Sequence, residues 1–332
     1  MTKICVDVMG SDRDPRDLLG GLDAALTADA DLELLVVGDE DIVVPFAEGR
    51  DRVEALVSTS VIHMDEHPAN AVRRKKYSSI VMAVKAVADG KADGLFSAGS
   101  TGAVLTAATF GIGRIKGIKR PALSLPLPGL RGHKTVFLDM GANADVKPEA
   151  LVQFAQMGSA YSRVVVGTHN PTVALLCNGS EDTKGSEIAL AYHAALAAEP
   201  SINFVGNAEG TDILNGSYDV IVSDGFTANV ALKTLEGTAK YIVARIKDGV
   251  ASSKRAAIGA LFLKPLLKSL GADLSGDEYG GAILLGLKAP VVKGHGSTSA
   301  EAFENGVLAC AAAVRGGLCE KIADACVQAP EG

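Results

Sequence analysis

The sequence predicts an α/β protein in which a mostly parallel β-sheet lies between two layers of helices. Short runs of Val, Ile and Leu recur along the 332 residues, and stretches with helical periodicity separate them. The loops that follow these runs are rich in Gly, Ser, Asn and Asp. Continuously apolar strands are typical of sheets buried on both faces, and ligands bind at the carboxyl ends of parallel strands. We therefore expect one three-layer α/β/α domain over residues 1–332, with its site at the carboxyl ends of the strands.

The apolar runs give the expected strands in chain order. They cover residues 3–8, 32–37, 53–57, 61–64, 95–96, 136–138, 173–176, 204–205 and 220–222. The expected helices cover residues 15–27, 70–89, 103–110 and 148–162, one from Gly185 to Ala198 and one from Asn229 to about Lys247. Pro15 suits the first turn of its helix, and Gly90 ends the helix over 70–89.

Composition and charge exclude several classes of protein. The net charge of −7 argues against a general nucleic-acid binder, which would be basic. The five cysteines show neither a disulfide spacing nor a Cys/His cluster, which indicates reduced thiols and no metal site. Neither a signal peptide nor an apolar run of roughly 18 residues is present, so we expect a soluble, intracellular protein.

A glycine-rich turn over residues 97–102 is the most informative stretch of the chain. It follows the strand at 95–96 and precedes an apolar helix, so free backbone N–H groups and the positive helix end point at one place. Gly99 and Gly102 allow close approach, while the Ser100 and Thr101 hydroxyls add donors. The pattern predicts a phosphate site, and its alternative is an ordinary N-capped helix after a tight turn.

Residues 256–270 break the alternation of strands and helices. Ile258, Phe262, Leu266 and Leu270 recur every four residues, and Pro265 interrupts the helix that this spacing predicts. We expect a helical projection over residues 250–275. It is either a hairpin packed on the core or on a dimer partner, or a cationic apolar surface for a membrane or an acyl chain.

A series of motifs runs along nearly the whole chain, over residues 7–10, 72–79, 97–103, 113–122, 138–143, 147–149, 181–185, 204–207, 223–230, 232–237, 279–282, 286–290 and 293–297. In these segments the chain resembles the acyl-carrier-protein-dependent phosphate acyltransferase family (PlsX). Two loops depart from the family. Arg13 stands where the family usually has His, and residues 177–179 read Cys-Asn-Gly instead of Asn-Val-Gly.

The resemblance implies a fold similar to that of the isocitrate/isopropylmalate dehydrogenase group. It also implies that acyl-ACP and inorganic phosphate are converted reversibly into acyl phosphate and free ACP, without a cofactor. The acyl phosphate would pass to a membrane glycerol-3-phosphate acyltransferase of the PlsY type, as the first step of phospholipid synthesis. The family further implies a homodimer that is cytoplasmic and associates peripherally with the inner face of the membrane.

This reaction requires positioning and oxyanion stabilisation more than a strong base or a covalent nucleophile, because phosphate is already anionic. Carried over from the family, Lys184 is expected to hold phosphate or the oxyanion, Asn229 to donate to the thioester oxygen, and His295 to donate to phosphate or protonate the thiolate. Their alternatives are a solvated lysine, a helix-cap asparagine and a structural histidine. Gly10 joins residues 99–102 as a phosphate-binding residue.

The remaining expected site residues organise the loops or bind the partner. Asp7, Asp12, Asp139 and Asn143 are expected to orient cations and backbone, and Cys177 is expected to be buried rather than reactive. Because acyl carrier proteins are acidic, basic residues would dock them. The favoured surface is the projection with Lys254, Arg255, Phe262, Lys264, Leu266 and Lys268. The second is Arg73 and Arg74 with the lysines that follow, and the third is the basic run over 114–120.

Other functions fit the sequence less well. A nicotinamide-dependent dehydrogenase would need carboxylates on a helix to hold a metal, whereas the Asp-x-x-x-Asp spacings of this chain fall in glycine-containing turns. An acyl-CoA donor is an open alternative, since both donors present a phosphopantetheine thioester. A non-catalytic scaffold that links acyl carriers to the membrane is a third hypothesis, and it would not need a phosphate site.

Overall fold

A computed structural model describes residues 1–251, 259–260, 262–264 and 280–327 of the chain. The strands are β1 (Thr2–Asp7), β2 (Leu32–Gly38), β3 (Val53–Val57), β4 (Gly94–Ser97), β5 (Ala122–Pro128), β6 (Lys134–Leu138), β7 (Thr172–Leu176), β8 (Asn203–Ala208), β9 (Val220–Val222), β10 (Ala282–Leu285) and β11 (Val291–Lys293). The helices are α1 (Pro15–Ala28), α2 (Glu40–Ala47), α3 (Pro68–Arg74), α4 (Ser79–Ala88), α5 (Thr101–Gly111), α6 (Pro148–Tyr161), α7 (Glu187–Ala197), α8 (Gly225–Ala251), α9 (Ala300–Arg315) and α10 (Leu318–Val327).

The strands of the described residues form one sheet in two groups that point in opposite directions. Its order is β3-β2-β1-β4-β11-β10-β5-β6-β9-β7-β8. The first five strands in this order pair in parallel, and so do the last four. Between the groups, β10 and β5 make antiparallel pairs with each other and with their neighbours.

The register of β5 makes the carboxyl ends of the two groups face each other. Lys293 ends β11 opposite Ala282, and the next residue of β10 pairs with Ser124 of β5. Leu138, which ends β6, also pairs with Ser124. Strand β10 covers only the first half of β5, and β6 covers the second half. The polar loops of both groups therefore meet beside the middle of β5.

Two apolar clusters cover the two faces of the sheet. In β1, Ile4 and Val6 belong to one cluster and Cys5 to the other, as expected when alternate side chains point to opposite faces. Helices α1, α2, α6, α7, α9 and α10 complete the first cluster. Helices α3, α4 and α5 complete the second, together with the first turns of α8. The predicted α/β class with a mostly parallel sheet is confirmed.

The strand predicted at 61–64 is wrong. These residues follow β3, the last strand on that side of the sheet, and pair with no strand; the isolated bridge nearby joins Ser60 to Ser78. The Lys75 Nζ donates to the Val61 carbonyl at 2.8 Å. Ile62 is buried in the second cluster. Its apolar character therefore reflects the burial of one side chain beneath a loop rather than strand pairing.

The single helix predicted over 70–89 is two helices, α3 and α4. The Ser78 hydroxyl and backbone N–H both donate to the Lys75 carbonyl, at 2.8 and 3.1 Å. Hydrogen bonds of this kind offer the backbone an alternative to the helix. The apolar periodicity continues across the break because both helices pack on the second cluster.

Most of the predicted projection lies outside the described residues, including Lys254, Arg255, Leu266 and Lys268. Phe262 and Lys264 are described, and both are exposed. Within the described residues, no helix has the length and the sustained apolar character needed to cross a membrane. That all 332 residues form a single domain stays a prediction.

Candidate active site

A cavity of about 390 Å³ lies where the two groups of strands face each other. Its polar lining residues are Thr101, Asn229, Lys233, Glu236, Lys293, His295 and Thr298. Its large apolar lining residues are Leu123, Leu125, Leu127, Pro128, Met140, Leu214, Leu232 and Leu235. This cavity therefore places a cationic, hydrogen-bonding side next to an apolar one.

The turn after β4 is held from behind by the buried carboxylate of Asp7. The Ser97 hydroxyl donates to Asp7 Oδ2 at 2.8 Å, and the Gly99 N–H donates to the Ser97 hydroxyl at 3.1 Å. The Met9 N–H donates to Asp7 Oδ1 at 3.1 Å. Burial raises the pKa of Asp7 to about 6, although hydrogen bonds from Ser79, Ser97 and Met9 oppose the shift. Asp7 thus ties the loop after β1 to the turn after β4.

The glycines of this turn are required by close contacts. A Cβ on Gly102 would lie 2.4 Å from the Pro68 ring at the start of α3. Gly10 has a φ of +78°, and a Cβ there would lie 3.3 Å from the Gly99 Cα. The two loops therefore touch through backbone. Ser100, the residue before α5, makes no side-chain cap hydrogen bond to any described residue, so the first N–H groups of α5 are available.

Lys293 is the central cation of the cavity. It pairs with Ser97 across β4 and β11, which brings it beside the turn. Burial, and to a smaller extent the neighbouring Lys233, lowers the pKa of Lys293 to about 8, while Asp12 opposes the shift. Burial disfavours the charged form of this lysine, and a bound anion would favour that form again.

His295 presents a hydrogen-bond donor to the cavity. The Ser297 N–H donates to His295 Nδ1 at 3.3 Å, and the Ser297 hydroxyl lies 2.9 Å from the same nitrogen. Because a backbone N–H can only donate, Nδ1 is an acceptor and Nε2 carries the hydrogen of the neutral ring. Burial lowers the pKa of His295, and Lys293 and Lys233 lower it further, which favours this neutral form.

The first loop packs against the loop of His295. The Ser11 hydroxyl and the Asp12 N–H both donate to the Gly296 carbonyl, at 2.9 and 2.8 Å. Arg13, which replaces the usual histidine of the family, donates through Nε to the Ser297 carbonyl at 3.2 Å. These contacts fix the loop that carries His295.

The Asp139 carboxylate accepts four hydrogen bonds in and beside the turn after β6. Its Oδ1 accepts from the N–H groups of Leu123 and Ala142, at 2.9 and 3.0 Å. Its Oδ2 accepts from the backbone N–H and the side-chain Nδ2 of Asn143, both at 2.8 Å. Burial raises the pKa of Asp139, and these hydrogen bonds oppose the shift. In this turn, Gly141 has a φ of +117° and lies against the Asn229 side chain.

The structure brings Thr101, Asn229 and His295 into one cavity. The other predicted phosphate-binding residues do not line it: Gly10, Gly99, Ser100 and Gly102. Lys184 lies elsewhere, in the exposed loop after β7, and it does not line the cavity. Asn207 anchors that loop by donating from Nδ2 to the Glu181 carbonyl at 2.9 Å. Arg73 and Arg74 end α3 at the surface. Cys177 is half-buried instead of buried.

The sequence analysis assigned no role to Lys293, Lys233 and Glu236. The available signal for Lys293 was a charged residue directly after the apolar pair Val291-Val292 and before Gly294, where the carboxyl end of a strand meets a turn. Lys233 and Glu236 form an ion pair of 2.9 Å on α8 at the rim of the cavity. Among the described residues, no group of His, Cys, Asp and Glu is arranged to hold a metal ion.

The comparisons with known proteins agree with this geometry. The chain matches the family described as "Fatty acid synthesis protein" over residues 2–321. It is 46% identical over 324 residues to a "Phosphate acyltransferase" of Limosilactobacillus reuteri (strain DSM 20016), covering 96% of this chain and 94% of that protein. It is 48% identical over 307 residues to a protein of the same name from Levilactobacillus brevis, covering 91% and 89%.

Two solved structures share the fold at low sequence identity. A phosphotransacetylase from Streptococcus pyogenes has a TM-score of 0.61 at 18% identity, covering 95% of this chain and 94% of its own. A branched-chain phosphotransacylase from Enterococcus faecalis V583 has a TM-score of 0.59 at 14% identity, covering 95% and 99%. The fold is that of an α/β enzyme, and its cavity places cationic and hydrogen-bonding residues beside apolar ones. The chain belongs to the phosphate acyltransferase (PlsX) family and is an acyltransferase.

Proposed function

We propose that the protein transfers an acyl group from acyl-ACP to inorganic phosphate, giving acyl phosphate and free ACP. The observation that carries this proposal is the convergence of the α5 amino end, Lys293 and His295 in a cavity whose other wall is apolar. An anion and an acyl group are the two chemical parts that such a cavity can hold side by side. The names of the curated relatives support the same reaction class.

Phosphate would bind between the α5 amino end and Lys293. The first N–H groups of α5 and the Thr101 hydroxyl donate to its oxygens, and the Lys293 ammonium neutralises its charge. Anion binding would also relieve the cost of the buried Lys293 charge. Asp7 takes no part in binding, because its carboxylate faces Ser97 on the far side of the turn.

The chemistry would be the addition of phosphate to the thioester carbonyl, followed by elimination of the thiolate, with no covalent enzyme intermediate. A phosphate oxygen attacks that carbon, and the C–O bond forms as the carbonyl becomes an oxyanion. Asn229 Nδ2 and His295 Nε2 are the donors on hand for this oxyanion. Its collapse breaks the C–S bond, and the ACP thiolate leaves with the electron pair. A thiolate of ordinary pKa needs no general acid near neutral pH.

Lys293 takes the role that the sequence analysis gave to Lys184. Lys293 lines the cavity and is largely buried, whereas Lys184 lies in an exposed loop after β7. Preorganised charge is effective where water is excluded, which favours the buried lysine. The role of Lys184 stays a prediction, and a comparison of Lys184→Ala with Lys293→Met tests it.

The same proposal includes the setting of the reaction. Family membership supports ACP as the donor, a homodimer, and a cytoplasmic enzyme in peripheral contact with the membrane that delivers acyl phosphate to a PlsY-type glycerol-3-phosphate acyltransferase. Acyl-CoA is the alternative donor, because its thioester arm has the same chemistry. A scaffold without catalysis is the second candidate, and the buried cation of the cavity argues against it.

The test is acyl phosphate formation by the purified full chain. The protein is mixed with inorganic phosphate and either acyl-ACP or acyl-CoA, and hydroxylamine-trapped product is measured by mass spectrometry. Phosphate-dependent product from acyl-ACP is expected, and product from acyl-CoA alone would replace the donor. If a folded protein yields no product with either donor, the scaffold hypothesis replaces the enzyme hypothesis.

A further inference from the structure

We propose that the trough between β5 and α8 binds the acyl chain of the donor, and that Leu127 and Leu214 at its far end set the longest chain that the enzyme accepts. The proposal rests on the proposed function, since it names the acyl part of the same substrate. Its evidence is the shape and the composition of the apolar side of the cavity.

Strand β5 forms the floor of the trough. Leu123, Leu125 and Leu127 all line the cavity, as alternate residues on one face of a strand must. They span about 13 Å at the usual strand rise of ~3.3 Å per residue. Leu123 lies at the polar end, because its carbonyl accepts the Met140 N–H at 2.9 Å next to Gly141 and Asn229.

Helix α8 forms the opposite wall. Leu232, Leu235 and Ala239 line the cavity at a spacing that places them on one helical face. Asn229 precedes them on the helix, and the Lys233–Glu236 ion pair also lines the cavity. The apolar stripe of α8 therefore runs beside this ion pair. Within α8 only Gly225 and Ala228 are buried. Leu232 and Leu235 pack against the second cluster but are only partly buried, so part of the stripe stays accessible to a ligand.

The far end of the trough is closed by backbone contacts. The Leu130 N–H donates to the Leu214 carbonyl at 3.2 Å, which joins the β5–β6 hairpin to the segment before β9. A Cβ on Gly129 would lie 3.2 Å from the Gly216 Cα, so these two segments are in close contact. Leu127 and Leu214 line the cavity just inside this closure.

The lining selects a flexible aliphatic ligand. The described residues of the lining include no Phe, Tyr or Trp, so a nucleotide base or an aromatic acyl group would find no ring to stack on. Leucine and methionine side chains suit a chain of methylene groups, because each methylene that is removed from water favours binding. The polar end of the trough, beside Asn229, fits the thioester of the donor.

The experiment measures kcat/KM for phosphate-dependent transfer from donors with 4 to 16 acyl carbons. Leu127→Trp and Leu214→Trp would each fill the far end, so the ratio of long-chain to short-chain kcat/KM should fall about tenfold or more. The smaller side chain of Leu214→Ala should shift the preference toward longer chains. Leu190→Trp, at an exposed position of α7, is the matched control and should leave the ratio unchanged.

A binding measurement separates this proposal from the proposed function. Calorimetric titration with alkyl phosphonates of 4 to 16 carbons needs no turnover, and affinity should rise with length and lose that rise in Leu127→Trp. If no donor gives acyl phosphate but this pattern holds, the trough stands and the reaction is wrong. If acyl phosphate forms and chain preference is the same in folded Leu127→Trp, Leu214→Trp and Leu214→Ala as in the parent, the trough proposal is overturned.

Discussion

Two polar turns face each other across the cavity, and they differ in how their hydrogen bonds are used. In the turn after β6, Asp139 accepts four hydrogen bonds from within or beside the turn. Asp224 caps the neighbouring helix α8 by accepting the Thr227 N–H at 2.8 Å. In the turn after β4, the Asp7 carboxylate lies behind Ser97, and no described side chain caps α5.

From this difference we infer which of two similar turns is suited to bind an anion. Both contain glycines and small polar residues, and both follow a buried strand. In the turn after β6, the backbone N–H groups of Ala142 and Asn143 donate to the Asp139 carboxylate. The negative charge of this carboxylate would also repel an anion. In the turn after β4, the first N–H groups of α5 have no side-chain cap from Ser100, and Lys293 of the adjacent strand lies beside them. We therefore propose that the closed turn, after β6, supports the site and that the open turn, after β4, receives the ligand.

The largest expected effect is the loss of stability in Asp139→Asn. The asparagine has one acceptor oxygen in place of two, and its NH₂ group would face buried N–H donors. Each buried donor left without an acceptor costs about 1–3 kcal/mol. We expect the free energy of unfolding to fall by on the order of 3 kcal/mol, measured by urea denaturation. Asp145→Asn, at an exposed position two residues after Asn143, is the control and should change it by less than about 0.5 kcal/mol.

A stability for Asp139→Asn within about 0.5 kcal/mol of the parent protein would contradict the role of the carboxylate. The turn after β6 would then be held by its backbone alone. The hydrogen bonds of Asp139 would then not be what distinguishes the turn after β6 from the turn after β4.

The next effect is on catalysis and concerns the open turn. Lys293→Met should lower kcat/KM for phosphate on the order of a hundredfold, because it removes a preorganised charge from the phosphate site. Its stability should not fall, since a destabilised buried charge is removed with it. The control is Lys247→Met, at an exposed position of α8 outside the cavity lining.

Lys184→Ala, measured in the same assay, decides between the two lysines. The sequence analysis predicts a loss on the order of a hundredfold for this variant if Lys184 stabilises the oxyanion. The position of Lys184 in an exposed loop leads us to expect a smaller loss than that of Lys293→Met. The reverse order would return the role to Lys184.

The open turn could be predicted from the sequence because its signal is local. A strand, a glycine-rich turn and a helix start follow one another within 93–110, and each is recognised from its neighbours. The organising roles of Asp139 and Asn143 came from the family resemblance. The hydrogen bonds of this pair also lie within a few residues along the chain, apart from those to Leu123 and Pro121.

The role of Lys293 could not be predicted because it depends on long-range strand pairing. Its neighbour Ser97 is almost 200 residues away in the sequence, and β11 is three residues long. Strand β5 was missed for a related reason. Pro126 and Pro128 argue against a strand, yet β10 ends its pairing at Ser124, so these prolines lie where β5 has a neighbour on one side only.

Lys184 shows the limit of the rule that ligands bind at carboxyl ends of strands. Its loop does follow the carboxyl end of β7. The cavity, however, lies beside β5, and β6 and β9 separate β5 from β7 in the sheet. Which of several such loops forms the site depends on the strand order, which the sequence does not reveal.

The smallest expected effect is a pH dependence that follows from the cation of the open turn. Burial lowers the pKa of Lys293 from 10.5 to about 8 in the free protein, so the ammonium form is present below that pH and is lost above it. We expect kcat/KM for phosphate, which reports groups of the free enzyme, to fall by up to tenfold per pH unit above about 8. Lys293→Arg should remove this fall, because arginine stays charged. An unchanged alkaline fall in Lys293→Arg would assign it to another group.

The same pKa predicts an opposite trend in stability, which makes the test independent of turnover. Between pH 8 and 10.5 the unfolded chain holds the Lys293 proton and the folded chain has lost it. The unfolded state then binds more protons, so the contribution of Lys293 to the free energy of unfolding rises with pH across this window. Saturating phosphate should raise the pKa of Lys293 and flatten the rise. Urea denaturation at several pH values, with and without phosphate, therefore tests whether the open turn and Lys293 share one ligand. Asp139 in the closed turn should show no such dependence on phosphate.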